Sequence, residues 1–195
     1  MKRVLVFGVA LVLTVACLDA HAFTASYDQV TTGIKNVVAR ETSIKIKDDK
    51  MRMEVNMPRG KLVTIIDGMT AYQYMPVEKK AYKMIARGPT NIKNLSDYKG
   101  YLQLLNARVV GSESVGDYDC DIYEFIDPGT KVKARAWVWR AKNFPVKYEL
   151  DIAGGTVTTI MKNIQINTKI DDSEFTIPKD VKIVEMQSAA NRNKR

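Results

Sequence analysis

The chain has 195 residues, 46% of them hydrophobic and 27% charged, with a formal charge of +8. This is ordinary globular composition, too apolar for a disordered chain. Histidine occurs once, at His21, and cysteine twice, at Cys17 and Cys120. His21 and Cys17 both fall in a leader expected to be removed. What remains cannot assemble a Ser-His-Asp or Cys-His triad, a histidine-ligated zinc site or a c-type haem attachment.

Met1-Lys2-Arg3 is a short positive start, residues 4–18 carry no charge, and Ala20-His21-Ala22 has the small-x-small form of a cleavage site. The apolar run falls short of the ~20 residues a membrane-spanning helix requires. The expected organisation is a signal peptide over residues 1–22, one β domain over 23–187 and a flexible basic tail over 188–195. A lipoprotein signal ending before Cys17 is the competing reading. Loss of Lys2, Arg3 and Asp19 would leave 28 basic and 21 acidic residues. An exported protein of that charge meets anionic lipid head groups or acidic proteins more readily than nucleic acid. The expected location is the periplasm, and the expected state a monomer.

Beyond the leader, Phe23, Ala25 and Tyr27 allow a strand, while Val30, Ile34, Val37 and Val38 allow a helix; a strand start is preferred. Met51, Met53, Val55 and Met57 then alternate with Arg52, Glu54 and Asn56, as a half-buried strand requires. Turn signals recur at Lys47-Asp48-Asp49-Lys50, Pro58-Arg59-Gly60, Asp67-Gly68 and Pro76-Val77-Glu78-Lys79. Leu95, Tyr98, Leu102 and Leu105 form one apolar stripe at helical spacing, with Ser96 and Asp97 suited to its start and Gly100 weakening it.

Further turns are marked by Gly116-Asp117, Asp127-Pro128-Gly129 and Lys142-Asn143-Phe144-Pro145. Between them, Cys120 sits in the alternating run Tyr118 to Ile122, where a buried, inert thiol is expected. Val146, Tyr148, Leu150 and Ile152 are expected to share one strand face. Gly154-Gly155 marks a tight hairpin. Ile164, Ile166, Thr168 and Ile170 are expected to share a face of the strand that follows.

Turns spaced about 8–12 residues apart are the pattern of an antiparallel meander, barrel or sandwich. About ten strands present an apolar face that one or two short helices cannot cover. The expected fold is therefore all-β with minor α, a curved antiparallel sheet folded over on itself, with one or two helices inside or across it.

One block runs from Lys50-Met51-Arg52-Met53 through Val63-Thr64-Ile65-Ile66-Asp67-Gly68 to Tyr72-Gln73-Tyr74-Met75-Pro76. A second joins Val110-Gly111-Ser112-Glu113 to Asp119-Cys120-Asp121-Ile122-Tyr123. A third runs from Trp137-Val138-Trp139 to Phe144-Pro145-Val146-Lys147, and Phe175-Thr176-Ile177-Pro178 closes the series. In this order the blocks resemble the LolA-like superfamily of periplasmic lipoprotein carriers and outer membrane lipoprotein-sorting proteins, and more closely a small branch of unassigned role. The resemblance implies an unclosed half-barrel around helices, with an apolar cavity for acyl chains. It also implies carriage toward the outer membrane, or, as in relatives, sensing or direct lipid binding. The lid-locking arginine of that family has no single counterpart, since Arg40, Arg52 and Arg59 all suit the role.

Two candidate sites follow. Met51, Met53, Val55, Met57, Met75, Met84 and Met161, with Leu102 and Leu105, are candidates for the apolar cavity, because unbranched thioethers adapt to cargo of variable shape. Packing in an ordinary core is the alternative. Lys131, Lys133, Arg135, Trp137 and Trp139 share a face at period two and are candidates for docking a head group or partner protein. There the alternative is a solvated strand with core tryptophans. No catalytic residue, metal site or cofactor is expected. The expected function is non-enzymatic binding of lipid acyl chains or lipoproteins, with peripheral membrane contact. An envelope sensor or protein-interaction module is the alternative.

Overall fold

A computed structural model of the protein describes residues 23–33, 39, 41–86 and 95–186. The expected leader with His21 and Cys17, Arg40, and the tail from residue 188 lie outside these. The chain opens with β1 (Thr24–Thr32), β2 (Glu41–Lys47), β3 (Lys50–Met57), β4 (Gly60–Asp67), β5 (Thr70–Met75) and β6 (Lys80–Ile85). A short helix, α1 (Tyr98–Leu104), precedes β7 (Arg108–Val115), β8 (Tyr118–Ile126), β9 (Lys133–Trp139), β10 (Phe144–Ile152) and β11 (Gly155–Ile166). A last strand, β12 (Lys182–Glu185), follows a one-turn 3-10 helix, Asp172–Phe175. The preferred strand start at the N-terminus is what forms.

The twelve strands of the described residues join one open sheet, in the order β12-β6-β5-β4-β3-β2-β1-β11-β10-β9-β8-β7. The topology is two meanders sharing a seam. Strands β1 to β6 step away in one direction, the chain crosses to the far edge through α1, and β7 to β11 step back until β11 pairs with β1. The pairings are antiparallel except at one edge, where β12 lies parallel to β6.

The turn residues explain the hairpins. Asp48, Gly60, Gly68, Lys79, Gly116, Asn143 and Gly154 all carry positive φ. Asp, Asn and above all Gly tolerate that left-handed backbone, which tight turns demand. Each of the turn signals read in the sequence falls between two paired strands.

Helix α1 starts where Asp97 accepts the Gly100 amide at 3.0 Å. It packs Tyr98 and Leu102 onto Phe125, Ala134, Ala136 and Val138, which lie on one face of β8 and β9. The opposite face is covered further along the sheet by the C-terminal segment. There Phe175, with Ile170 and Ile177, packs on Val63 and Ile65 of β4. Polar bonds fasten this cover: Lys45 reaches Glu174 at 2.7 Å, Lys47 reaches Asp172 at 2.9 Å, and Arg52 donates to the Glu174 carbonyl at 2.9 Å.

Three sequence expectations need correction. Val146 and Tyr148 do not share a face. A bulge between Pro145 and Lys147 sends Val146 toward Cys120 and Trp137, while Tyr148 and Leu150 face the helix. An extra residue in a strand reverses the alternation on either side of it. Strand β11 ends at Ile166, because Asn167 turns left-handed with φ 58°. Thr168 and Ile170 therefore leave the strand, and Ile170 joins the C-terminal cover. Lys131, with φ 61°, belongs to the turn before β9 and not to its basic face.

Candidate functional site

Cross-strand register builds the apolar face. Ile166, Ala25, Ile46, Met51, Ile66, Ala71 and Met84 lie directly opposite one another across β11, β1, β2, β3, β4, β5 and β6. Two residues along, Tyr27, Ile44 and Met53 form the next row, continued by the more polar Thr64, Gln73 and Tyr82. Met161, Gln29, Thr42, Val55 and Leu62 form a third. Side chains two apart share a face, so Met57 and Met75 belong to it as well. The seven strand candidates thus fall on one face of the sheet.

That face is the one α1 packs against. Leu95, just before the helix, touches both the Tyr27, Ile44, Ile46 and Phe144 cluster and the cluster under α1. Leu102 is fully buried, and Leu105 packs beside it on the β8–β10 part of the sheet. These two leucines are core of that half. Met51, Met53 and Met161 are partly buried against the central cluster.

A cavity of about 360 Å³ opens at the end of the methionine-bearing half, lined by Met57, Pro58, Leu62, Met75 and Val77, with Arg59, Lys61 and Glu78 around it. It is formed by two turns at the same end of the sheet, Pro58-Arg59 between β3 and β4 and Pro76–Glu78 between β5 and β6. A Cβ on Gly60 would come within 2.8 Å of Val77 Cγ2, so a glycine here lets Val77 close over the hairpin. Lys61 pairs with Glu54, which lies on the opposite face from Met53. Arg59 and Glu78 make no ion pair among the described residues.

Leu62, Val77 and Glu78 were not among the sequence candidates, although both turns were recognised. A signal existed. In a meander, every second turn returns to the same end of the sheet, so the β3–β4 and β5–β6 turns must be neighbours.

The basic strand looks different once folded. Trp137 is buried with Cys120 and Val146, its indole Nε1 donating to Glu113 at 2.5 Å. Lys147 Nζ stands 4.0 Å from the Trp137 ring centre and Arg135 5.7 Å from it, a cation–π cover. Trp139 is partly buried, edge-on to Tyr118 at 4.9 Å. Lys133 pairs with Glu124, and Arg135 and Lys147 both pair with Glu149. Trp137 is core, and the cations above it are matched by carboxylates.

Several groups in this half have shifted titrations, Cys120 and Asp127 among them. Burial pushes the Cys120 thiol up to about 11, which makes it unreactive at neutral pH. Asp127 is partly desolvated, which alone would raise its pKa. The Thr130 amide, the Tyr148 hydroxyl, the Thr130 hydroxyl and the Gly129 amide all donate to it and hold it below the ordinary carboxylate range.

No protein-family model matches the sequence, and no curated protein matches it in a sequence comparison. Solved structures do match. An uncharacterized conserved protein from Thermus thermophilus aligns with 86% of this chain and 92% of its own, at 12% identity and a TM-score of 0.58. A chain of the Pseudomonas aeruginosa MucA/MucB complex aligns with 83% of this chain at 9% identity and a TM-score of 0.52. This chain covers 58% of that one. A LolA superfamily protein from Nitrosomonas europaea aligns with 80% of this chain and 90% of its own, at 13% identity and a TM-score of 0.35. The matches to the Thermus thermophilus and Pseudomonas aeruginosa structures show a shared fold. At these identities the likeness concerns the fold alone. The unclosed antiparallel half-barrel expected from the sequence, with a helix across one face, is the architecture observed.

Proposed function

We propose that this protein binds lipid acyl chains, free or attached to a protein, in the cell envelope and breaks no bond in doing so. The observation that carries this is the cavity lined by Met57, Leu62, Met75 and Val77, at the end of the apolar run Met51, Met53, Val55 and Met57 on β3. Acyl chains entering it leave water, gaining about 0.8 kcal/mol for each methylene buried. Methionine thioethers adapt to chains of differing length and unsaturation. Carriage toward the outer membrane after removal of residues 1–22 is the fuller form of the reading.

The test replaces Met57 and Met75 together by glutamine, of similar length but polar. Native mass spectrometry and titration with a fluorescent fatty acid should show one chain bound to the wild type. The double variant should bind it about tenfold or more weakly, an effect of at least ~1.4 kcal/mol. A protein that takes up no lipid, while circular dichroism shows it folded, would sink the reading.

A second reading, an envelope sensor or protein-interaction module, is favoured by β7, which forms one edge of the sheet among the described residues. This strand is exposed along nearly its whole length, including Val109 and Val110. The Pseudomonas aeruginosa structure of similar fold is itself a complex of two proteins. Cross-linking from position 109 in the native envelope should trap a protein partner on this reading and none on the first.

A further inference from the structure

The cavity carries a feature that a plain acyl pocket would not need. Two opposite charges, Arg59 and Glu78, stand among its lining residues, one on each of the two turns that form it. They do not pair with each other, nor with any other of the described residues. Lys61, the third charge, is already engaged by Glu54. A guanidinium presents a planar fork of donors matched to phosphate oxygens, and a carboxylate accepts from an ammonium. An anionic head group alone would be drawn by Arg59 and repelled by Glu78. One that carries phosphate and ammonium together satisfies both.

The size is informative too. About 360 Å³ is near the lower end of the ~300–1,000 Å³ typical of ligand sites. That suits one acyl chain better than two or three.

We propose that the cavity takes a single-chain phospholipid with a phosphoethanolamine head, its chain among Met57, Leu62, Met75 and Val77, its phosphate at Arg59 and its ammonium at Glu78. This rests on the acyl-chain reading above and specifies the occupant of the same site. Arg59 and Glu78 are exposed and without partners among the described residues, so changing them spares the core.

The experiment measures binding of lysophosphatidylethanolamine and lysophosphatidylglycerol of equal chain length, below their micelle concentrations, by isothermal titration calorimetry. The wild type should favour the ethanolamine lipid about tenfold, the scale of one charge-assisted contact. Glu78→Gln should bring the two lipids to equal affinity, and Arg59→Gln should weaken both. Thermal melting of each variant confirms that it is folded. Equal affinity of the wild type for both lipids would overturn the head-group assignment and leave the acyl pocket standing. Failure to bind either lipid, or the fluorescent fatty acid, would overturn both.

Discussion

The Asp97 carboxylate accepts the Gly100 amide at 3.0 Å, and an added Cβ on Gly100 would collide with that same carboxylate. The glycine that weakens the helical pattern in the sequence is what leaves room for the cap. Alanine at position 100 gains about 1 kcal/mol of helix propensity, but it displaces a cap worth about 1 kcal/mol. Gly100→Ala should therefore leave stability little changed in the wild type and raise it by about 1 kcal/mol in an Asp97→Ala background. Chemical denaturation of the four proteins reads the coupling. Equal effects in both backgrounds would contradict the contact.

Asp127 supplies a pH dependence. Its folded pKa is depressed because four hydrogen bonds outweigh its partial desolvation. A carboxylate of this kind contributes stability above its unfolded pKa, about 3.9. That contribution is lost as pH falls through the folded value. Wild-type stability should decline on acidification below about pH 5. Asp127→Asn should be less stable than wild type at pH 7, and the gap should narrow at pH 3. A gap that stays constant from pH 7 to pH 3 would exclude this role for the carboxylate.

The Cys120 thiol, pushed up to about 11 by burial, is two units above its ordinary value. At neutral pH its thiolate is about a hundredfold rarer than that of an exposed cysteine. A thiol reagent at pH 8 should label the native protein at least that much more slowly than the denatured chain. Rapid labelling of the folded protein would mean that the β8–β9 face opens.

Trp137 tests the difference between a core and a docking residue. Truncation to alanine should cost about 3–5 kcal/mol, as for other large buried aromatics. Trp137→Phe should cost about 1 kcal/mol for the lost Glu113 hydrogen bond. Lys147→Gln should cost about 0.5–1 kcal/mol through the lost cation–π contact. Thermal melts measure all three. A Trp137→Ala protein that melts like the wild type yet loses a partner would restore the docking role.

Much of this protein is legible one residue after another. The alternation of Met51, Met53, Val55 and Met57, the glycines and asparagines at the turns, and the Leu95–Leu105 stripe are local patterns. Backbone sterics and a two-fold or 3.6-fold period translate them directly into strands, hairpins and one helix. Even the sharing of a face by the methionines follows from counting by twos within each strand. The bulge at Val146 is not local in this sense, since nothing in Phe144 to Tyr148 announces which residue will be left unpaired. The same holds for Ile170, whose apolar side chain suited a longer β11 until Asn167 turned the backbone toward the face above Val63 and Ile65. Trp137 could be read as exposed or buried until the fold placed Glu113, Cys120 and Val146 around it. The cavity needs two turns from different hairpins and the gap at Gly60 that admits Val77. Periodicity specifies which way a side chain points within its own strand, and the sequence alone determined that much. What it meets there depends on pairing between residues far apart in the chain, and only the tertiary structure decides it.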